Sequence, residues 1–262
     1  MNEVHSSNFE IIEGSANSHV ILHVPHSSRE IPEDIRRELL LDDWALESEL
    51  DAMTDTGTEL IAYHAAESAT VRPWIFRNRL SRLVVDPERF PDDREIMNSI
   101  GMGVVYQKTS EGQILRAPDE IRDTELLRRF FAPYSIALER LTKELLGRQG
   151  SLTIIDVHSF RIEEHRNSVN KGLRRPQVCL GVDQFHTPDW LQSLAFELFR
   201  DLGEVVINEP YAGTYVPLNL YQKDENLSSV MMENREDNLW GAGSTKTSKV
   251  LARLIDGIES PK

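Results

Sequence analysis

Apolar residues along the chain fall into short continuous runs that alternate with stretches of helical spacing. The short runs, each of which predicts a strand, lie at 18–24, 69–75, 82–86, 151–160, 176–182, 204–208 and 228–234. Apolar positions recurring every three or four residues predict helices at 32–40, 42–64, 123–147, 187–203 and 245–258. This alternation predicts one α/β domain over 1–262, with helices on both faces of a mostly parallel, mixed sheet.

The segment 87–120 interrupts this alternation. It has no periodic apolar pattern, and its turn-forming residues are Pro87, Pro91, Gly101, Gly103, Gly112 and Pro118. A structureless connection of this length inside a compact domain is more often functional than accidental. We therefore expect this segment to form part of an active site.

Polar side chains follow several of the predicted strands where the apolar run ends. In such sheets, ligand sites collect at the carboxyl ends of the strands. The residues found there are His26, Asp156, His158, Ser159, Asn208, Glu233 and Arg235. We expect some of these side chains to converge on one site.

His26 and His158 predict a metal centre when they are taken together. Either histidine alone would more often bond to the backbone of a turn, but two imidazoles at neighbouring strand ends suit zinc or another divalent cation. A hydrolytic zinc site has three protein ligands, so an acid is also needed. The candidates are Asp51, then Asp55, then Glu30. Asp51 ranks first because its neighbours Leu50 and Met53 are apolar, and a buried carboxylate would need a ligand role.

Glu233 is the candidate catalytic base. It follows the run "SVMM", which would draw its carboxylate toward the sheet. Beside a metal site, such a carboxylate can take a proton from water and deliver it to a leaving nitrogen. The competing interpretation is an ion pair with Arg235 or another arginine.

Composition narrows the class of partner. The formal net charge is −14, from 43 acidic and 29 basic residues, which argues against nucleic acid and anionic membranes. The single cysteine, Cys179, excludes an internal disulfide, and its place inside a predicted strand disfavours a nucleophilic role. We see no signal peptide and no apolar run long enough to span a membrane, so we expect a cytoplasmic enzyme.

Seven blocks, spread in order over about residues 20 to 240, resemble the N-formylglutamate amidohydrolase family. They are "HVPHSS", "SRLVVDPERFPDD", "GMGVVYQKTSEGQILR", "DVHSF", "VCLGVDQFHTP", "NEPYAGTYVP" and "SVMMENR". The resemblance implies a zinc carboxypeptidase-like fold, a zinc-dependent amide hydrolysis and a place in histidine degradation. It assigns His26 and His158 as metal ligands and Glu233 as the base. It keeps Asp51 as the acidic ligand, since Glu30 lies one residue too far along for a His-x-x-Glu pair.

The substrate implied by the resemblance is N-formyl-L-glutamate or a similar small anionic N-acyl amino acid, cleaved to formate and glutamate. Arginines match carboxylates in bidentate geometry. The candidate substrate-binding residues are Arg82, Arg116, Asn208, Tyr211 and Arg235. Ser135 stands where many relatives have histidine, which leaves another N-acyl amino acid or a peptidoglycan-type amide as alternative substrates. A non-catalytic metal- or ligand-binding relative is the remaining alternative.

Overall fold

The computed structural model describes residues 8–260, which form one α/β domain around a seven-stranded mixed sheet. Its strands are β1 (Phe9–Ile12), β2 (Val20–Val24), β3 (Trp74–Asn78), β4 (Leu152–Phe160), β5 (Val178–Gly181), β6 (Val205–Ile207) and β7 (Leu227–Arg235). They lie in the order β1-β3-β2-β4-β7-β5-β6. The central β3, β2, β4 and β7 are parallel, whereas β1 and β5 are antiparallel to their inner neighbours. The predicted fold class is confirmed.

Helices cover both faces of this sheet. They are α1 (Glu33–Arg36), α2 (Asp43–Met53), α3 (Thr58–Ser68), α4 (Glu120–Leu126), α5 (Ala132–Gln149), α6 (Asp189–Phe199) and α7 (Ala242–Glu259). Apolar residues of α3, α6 and α7 pack on the face that Leu22 and Val157 share. The opposite face, with Ile21 and Ile154, packs against α5. Both faces are therefore buried, as the near-continuous apolar runs of β2 and β4 require. No helix of residues 8–260 has the length and apolar character needed to cross a membrane.

The helix predicted at 42–64 is two helices. The first, α2, begins behind Asp42, whose side chain accepts a hydrogen bond from the Ala45 backbone N–H at 2.8 Å, and ends at Met53. The chain then turns through Gly57, whose φ of 93° is unfavourable for any residue with a side chain, before α3 begins. This break removes Asp55 from the helical surface and places it in a buried turn.

The apolar run 82–86 was predicted as a strand, and this was wrong. It forms a turn in which Leu83 and Val84 are fully buried and Arg82 folds back onto Asp86. The third strand lies at 74–78 instead of 69–75, and β1 was not predicted. Continuous apolar residues indicate burial, and a buried turn satisfies the same pattern as a strand.

The segment 87–120 contains little regular secondary structure. Between residue 87 and α4 the regular elements are a 3-10 helix at Ile96–Ile100 and one bridge between Lys108 and Ile114. It has its own small core with α2, which includes Leu50, Leu83, Met102, Tyr106 and Leu115. This packing fixes the segment against α2.

Candidate active site

The candidate site lies on one face of the sheet, at the carboxyl ends of β2, β4 and β7. In the strand register His23 is paired with Asp156, and His158 with Glu233. Asp156 and His158 are two residues apart, so their side chains leave the same face of β4. The sheet therefore changes on this face from apolar residues to a patch of histidines and carboxylates.

His26, Asp55 and His158 bring three ligand atoms together. Nδ1 of His26 lies 3.3 Å from Nδ1 of His158. Oδ2 of Asp55 lies 3.0 Å from Nδ1 of His158 and 3.9 Å from Nδ1 of His26. Ligand atoms bound at about 2.0–2.1 Å to a tetrahedral zinc would lie about 3.3 Å apart, so the spacing fits such an ion. All three side chains are buried.

The opposite nitrogen of each of these histidines faces a carboxylate. Nε2 of His26 hydrogen-bonds to Oδ1 of Asp86 at 2.9 Å. Nε2 of His158 lies 3.1 Å from Oδ1 of Asp156 and 3.2 Å from Oε2 of Glu88. Metal-binding histidines usually donate their second N–H to such a partner, which fixes the ring and leaves the first nitrogen for the metal. The arrangement therefore leaves both Nδ1 atoms for a cation.

The surroundings of His26 and His158 shift their pKa values in opposite directions. Burial and the nearby Arg82 charge lower the pKa of His26. Burial would also lower the pKa of His158, but Glu88 and Asp156 raise it well above the ordinary value. For Asp55, burial is outweighed by its hydrogen bond with His158 and by both histidine charges, so its pKa falls. Metal binding at this position would require both ligating nitrogens to be free of protons, because a ligating imidazole is neutral.

Asp86 is the centre of a buried hydrogen-bond network. It is fully buried, and its Oδ2 accepts hydrogen bonds from Nη2 of Arg82 at 2.7 Å and from the Tyr106 hydroxyl at 2.6 Å. Burial would raise the pKa of Asp86, but the charge of Arg82, then those of His26 and Arg89, hold it well below its usual range. Asp86 is thus a fixed anion that orients His26.

Glu233 lies beside His158 in the strand register and is nearly buried. Its Oε2 is buried and has no hydrogen-bond partner among residues 8–260. Burial raises the pKa of Glu233 to about 8, with the His158 charge opposing the rise. A carboxylate that is not committed to an ion pair can accept and return a proton.

Asp51 is not part of this cluster. The structure places it on the outer face of α2, where its side chain is 72% exposed and pairs with Arg29 at 2.6 Å. Asp55, the second-ranked acid, lies beside the histidines, so the preference for Asp51 is corrected. Glu30, the third candidate, is exposed. Asp51 and Asp55 would share a helix face only if α2 continued, and the turn after Met53 separates them.

The predicted substrate-binding residues divide into two groups. Arg82 and Tyr211 lie near the site. Nη1 of Arg82 is 3.9 Å from Oδ1 of Asp55, and burial, then the charge of Glu233, raise the pKa of the partly buried Tyr211. Arg116 does not face the histidines. It is fully buried, donates to the Leu83 carbonyl at 2.7 Å, and burial lowers its pKa to about 10.

Asn208 and Arg235 also bind protein groups instead of facing the histidines. Asn208 has a left-handed φ of 56°, and its side chain bonds both backbone groups of Val182, at 2.8 and 3.1 Å. Arg235 pairs with Asp237 at 2.8 Å, whereas the competing interpretation had paired Arg235 with Glu233. Both residues therefore shape the backbone around the site.

The sequence interpretation did not assign roles to His23, Asp86, Glu88 and Asp156. His23 hydrogen-bonds Oδ1 of Asp156 at 2.8 Å and the Tyr134 hydroxyl at 2.6 Å. Glu88 lies close to the His158 ring and also to the His23 ring, with its Oε1 3.4 Å from Nδ1 of His23. One pattern could have identified Asp86: it ends an apolar run, as His26 and His158 do.

Comparison with known proteins agrees with this fold. A family model described as N-formylglutamate amidohydrolase matches residues 18–240. The N-formylglutamate amidohydrolase of Ralstonia eutropha JMP134 superposes with a TM-score of 0.76 at 17% identity, over 97% of this chain and 98% of that chain. A gene product of Agrobacterium tumefaciens superposes with a TM-score of 0.73 at 19% identity, over 99% of each chain. No curated protein matches the sequence.

The fold and the family match together define an α/β amidohydrolase. The chain belongs to the N-formylglutamate amidohydrolase family, as the ordered sequence blocks predicted. At these identities the two solved structures show the shared fold alone.

Proposed function

We propose that this protein is a divalent-metal-dependent amidohydrolase that removes the formyl group from N-formyl-L-glutamate or a closely similar N-acyl amino acid. The observation that carries the proposal is the buried convergence of His26, Asp55 and His158, with separations of 3.0 to 3.9 Å between their ligand atoms. Membership of the N-formylglutamate amidohydrolase family supports an amide as the class of substrate.

Two imidazole nitrogens and one carboxylate oxygen form a donor set suited to zinc. His26, Asp55 and His158 would hold the ion. When bound, it polarises the scissile carbonyl and lowers the pKa of a water molecule. The chain contributes the orientation of the ligands, because Asp86 fixes one ring and Asp156 with Glu88 faces the other.

Glu233 is proposed as the general base and then the general acid. Its Oε2 is buried without a partner and belongs to the strand position next to His158. The carboxylate takes a proton from the attacking water and passes it to the amide nitrogen as the carbon–nitrogen bond breaks. Because Glu233 and the neighbouring His158 are buried, bulk water is excluded as a competing proton acceptor.

Arg82 is proposed to stabilise negative charge that develops on the substrate carbonyl oxygen. Asp86 and Tyr106 hold its Nε edge, and its Nη1 faces the side of the cluster where Asp55 lies. A donor fixed in this way needs no reorganisation when charge develops, which is the basis of electrostatic stabilisation in active sites.

Formate release from N-formyl-L-glutamate, measured before and after chelator treatment, tests the proposal. Activity should be lost with chelator and return when zinc or another divalent cation is added. A panel with N-acetyl-L-glutamate and formyl derivatives of neutral amino acids then defines the acyl and amino-acid preference. Turnover that survives complete removal of metal would contradict the metal-dependent mechanism.

A further inference from the structure

The guanidinium of Arg175 is fixed close to the candidate active site. Its Nε and Nη2 both donate to the Arg161 carbonyl, at 2.9 and 2.7 Å. The group lies over the ring of Phe160, with its Cζ 5.0 Å from the ring centre. Nη1 of Arg235 binds the Arg175 carbonyl at 2.9 Å, and the following Pro176 restricts the backbone further. One edge of the guanidinium is therefore held by the Arg161 carbonyl, and the group also hydrogen-bonds the Tyr211 side chain, so its remaining N–H groups are the ones available to a ligand.

Phe160 places this guanidinium within reach of a substrate. It is the last residue of β4, two positions beyond His158 and on the same face of the strand. That step is about 6.6 Å along the strand, comparable to the distance from the amide carbon to a carboxylate in a small acidic N-acyl amino acid. Tyr211 packs on the same ring, with centroids 5.7 Å apart, and its side chain hydrogen-bonds Arg175.

Arg175 has no carboxylate partner among residues 8–260. Three other arginines are paired with acids, Arg82 and Arg89 with Asp86 and Arg174 with Glu204. In the part of the chain that the structure describes, the hydrogen bonds of the Arg175 side chain go to the Arg161 carbonyl and to the Tyr211 side chain, neither of which carries a neutralising charge. A half-buried arginine next to an active site, with its charge not neutralised by the protein, is suited to bind an anion from outside.

His165 lies in a region of mixed charge. It lines a cleft of about 340 Å³ with Arg161, between α2 and the segment at 109–113. Burial, and then the charges of Arg161, Arg175 and Arg82 in that order, lower the pKa of His165 to about 4. The charges of these three arginines, opposed by that of Asp55, therefore act at His165, and the cleft itself is also lined by four glutamates, Glu49, Glu111, Glu163 and Glu164. The case for an anion therefore rests on the geometry of Arg175 itself.

We propose that Arg175, supported by the Phe160 ring and next to Tyr211, binds a carboxylate of the amino-acid half of the substrate. This inference rests on the proposed function and specifies its substrate class as an acidic N-acyl amino acid. Arg175 is thus a specificity-determining residue. The bidentate geometry of guanidinium with carboxylate explains why this position would require arginine, with lysine only a partial replacement.

Arg175→Gln tests this proposal, with Arg174→Gln as the matched control on the adjacent surface residue. Kinetics with N-formyl-L-glutamate and its two monoamides, N-formyl-L-glutamine and N-formyl-L-isoglutamine, show which carboxylate is bound. Arg175→Gln should raise KM on the order of 10- to 100-fold, as expected for a lost charged hydrogen bond, with little change in kcat. The ratio of kcat/KM for N-formyl-L-glutamate to kcat/KM for one of the two monoamides should fall toward one. Arg175→Lys should restore part of it.

A binding measurement separates this proposal from the proposed function. Calorimetric titration of wild type and both variants with L-glutamate and glutarate requires no turnover. Weaker binding to Arg175→Gln than to Arg174→Gln supports the inference, even if the wild type does not release formate. Unchanged KM and preferences in Arg175→Gln would overturn it, as would equal binding by all three proteins or no binding by the wild type. A loss of kcat alone, with preferences unchanged, would also overturn it and assign Arg175 a structural role.

Discussion

Asp55 contacts His158 directly: its Oδ2 lies 3.0 Å from Nδ1 of that histidine and accepts the backbone N–H of Ser159 at 3.1 Å. Asp51, four residues earlier, pairs with Arg29 on the surface. Both are aspartates near the end of α2, so the contrast between them is set by the turn that follows Met53.

Asp55→Asn should lower metal affinity by more than the roughly 10- to 100-fold cost of losing an outer-shell partner, because it removes an anionic ligand. Asp51→Asn is the matched control and should retain wild-type affinity. Metal content after dialysis against graded zinc buffers, measured by elemental analysis, gives both affinities. Loss of metal from the Asp51 variant with retention in the Asp55 variant would reject the proposed ligand set.

Glu233→Gln should retain bound metal but lower kcat by a factor of about 10² to 10⁴, the usual contribution of a positioned general base. Glutamine has nearly the same shape and cannot accept the proton. Metal content and kcat should be measured on the same preparation. Undiminished kcat in a metal-loaded variant would exclude Glu233 as the base, whereas loss of the metal itself would assign it a ligand role.

Asp86→Asn should weaken metal binding about 10- to 100-fold, because the carboxylate that orients His26 is lost. It should also lower the free energy of unfolding by about 3–5 kcal/mol, since it leaves the charge of Arg82 buried without its partner. Tyr106→Phe is the control, because it removes one hydrogen bond to Asp86 and keeps the carboxylate. Urea denaturation of the metal-free proteins measures the stability difference. Equal losses in the two variants would show that the charge of Asp86 is not the important property.

The sheet and the two histidines could be predicted from the sequence because both depend on local patterns. Apolar runs indicate buried strands, and the carboxyl ends of parallel strands meet at one edge. The acid that lies beside the two histidines could not be ranked first, because its position depends on where α2 ends. The "TDTG" stretch contains the turn, and the apolar spacing on both sides of it resembles one long helix.

The candidate substrate-binding arginines were harder to predict because a guanidinium can bind a backbone carbonyl, a carboxylate or a ligand. Arg116 satisfies buried carbonyls and Arg235 pairs with Asp237, although both lie in sequence blocks typical of the family. Their roles depend on which anions and carbonyls lie around them in three dimensions. Arg175 has no distinguishing sequence pattern beyond the proline after it.

Glu49 predicts a pH dependence of stability at the boundary between α2 and the irregular segment. It is buried, and its carboxylate accepts hydrogen bonds from the Ser110 backbone N–H at 2.8 Å and the Ser110 hydroxyl at 2.7 Å. Burial raises its pKa above the ordinary 4.5, although the Ser110 hydrogen bonds oppose this. Because the folded pKa is the higher one, this group's contribution to stability is complete below pH 4.5 and is lost as pH rises through the folded value.

Glu49→Gln, which has no such titration, should therefore gain stability relative to the wild type as pH rises from about 4 toward neutrality. Urea denaturation at several pH values, with chelator present to remove any effect of metal binding, measures this difference. Glu47→Gln, on the exposed part of the same helix, controls for the loss of one negative charge from α2. A stability difference between wild type and Glu49→Gln that stays constant across this range, or that changes in the opposite direction, would show that burial does not disfavour the Glu49 carboxylate.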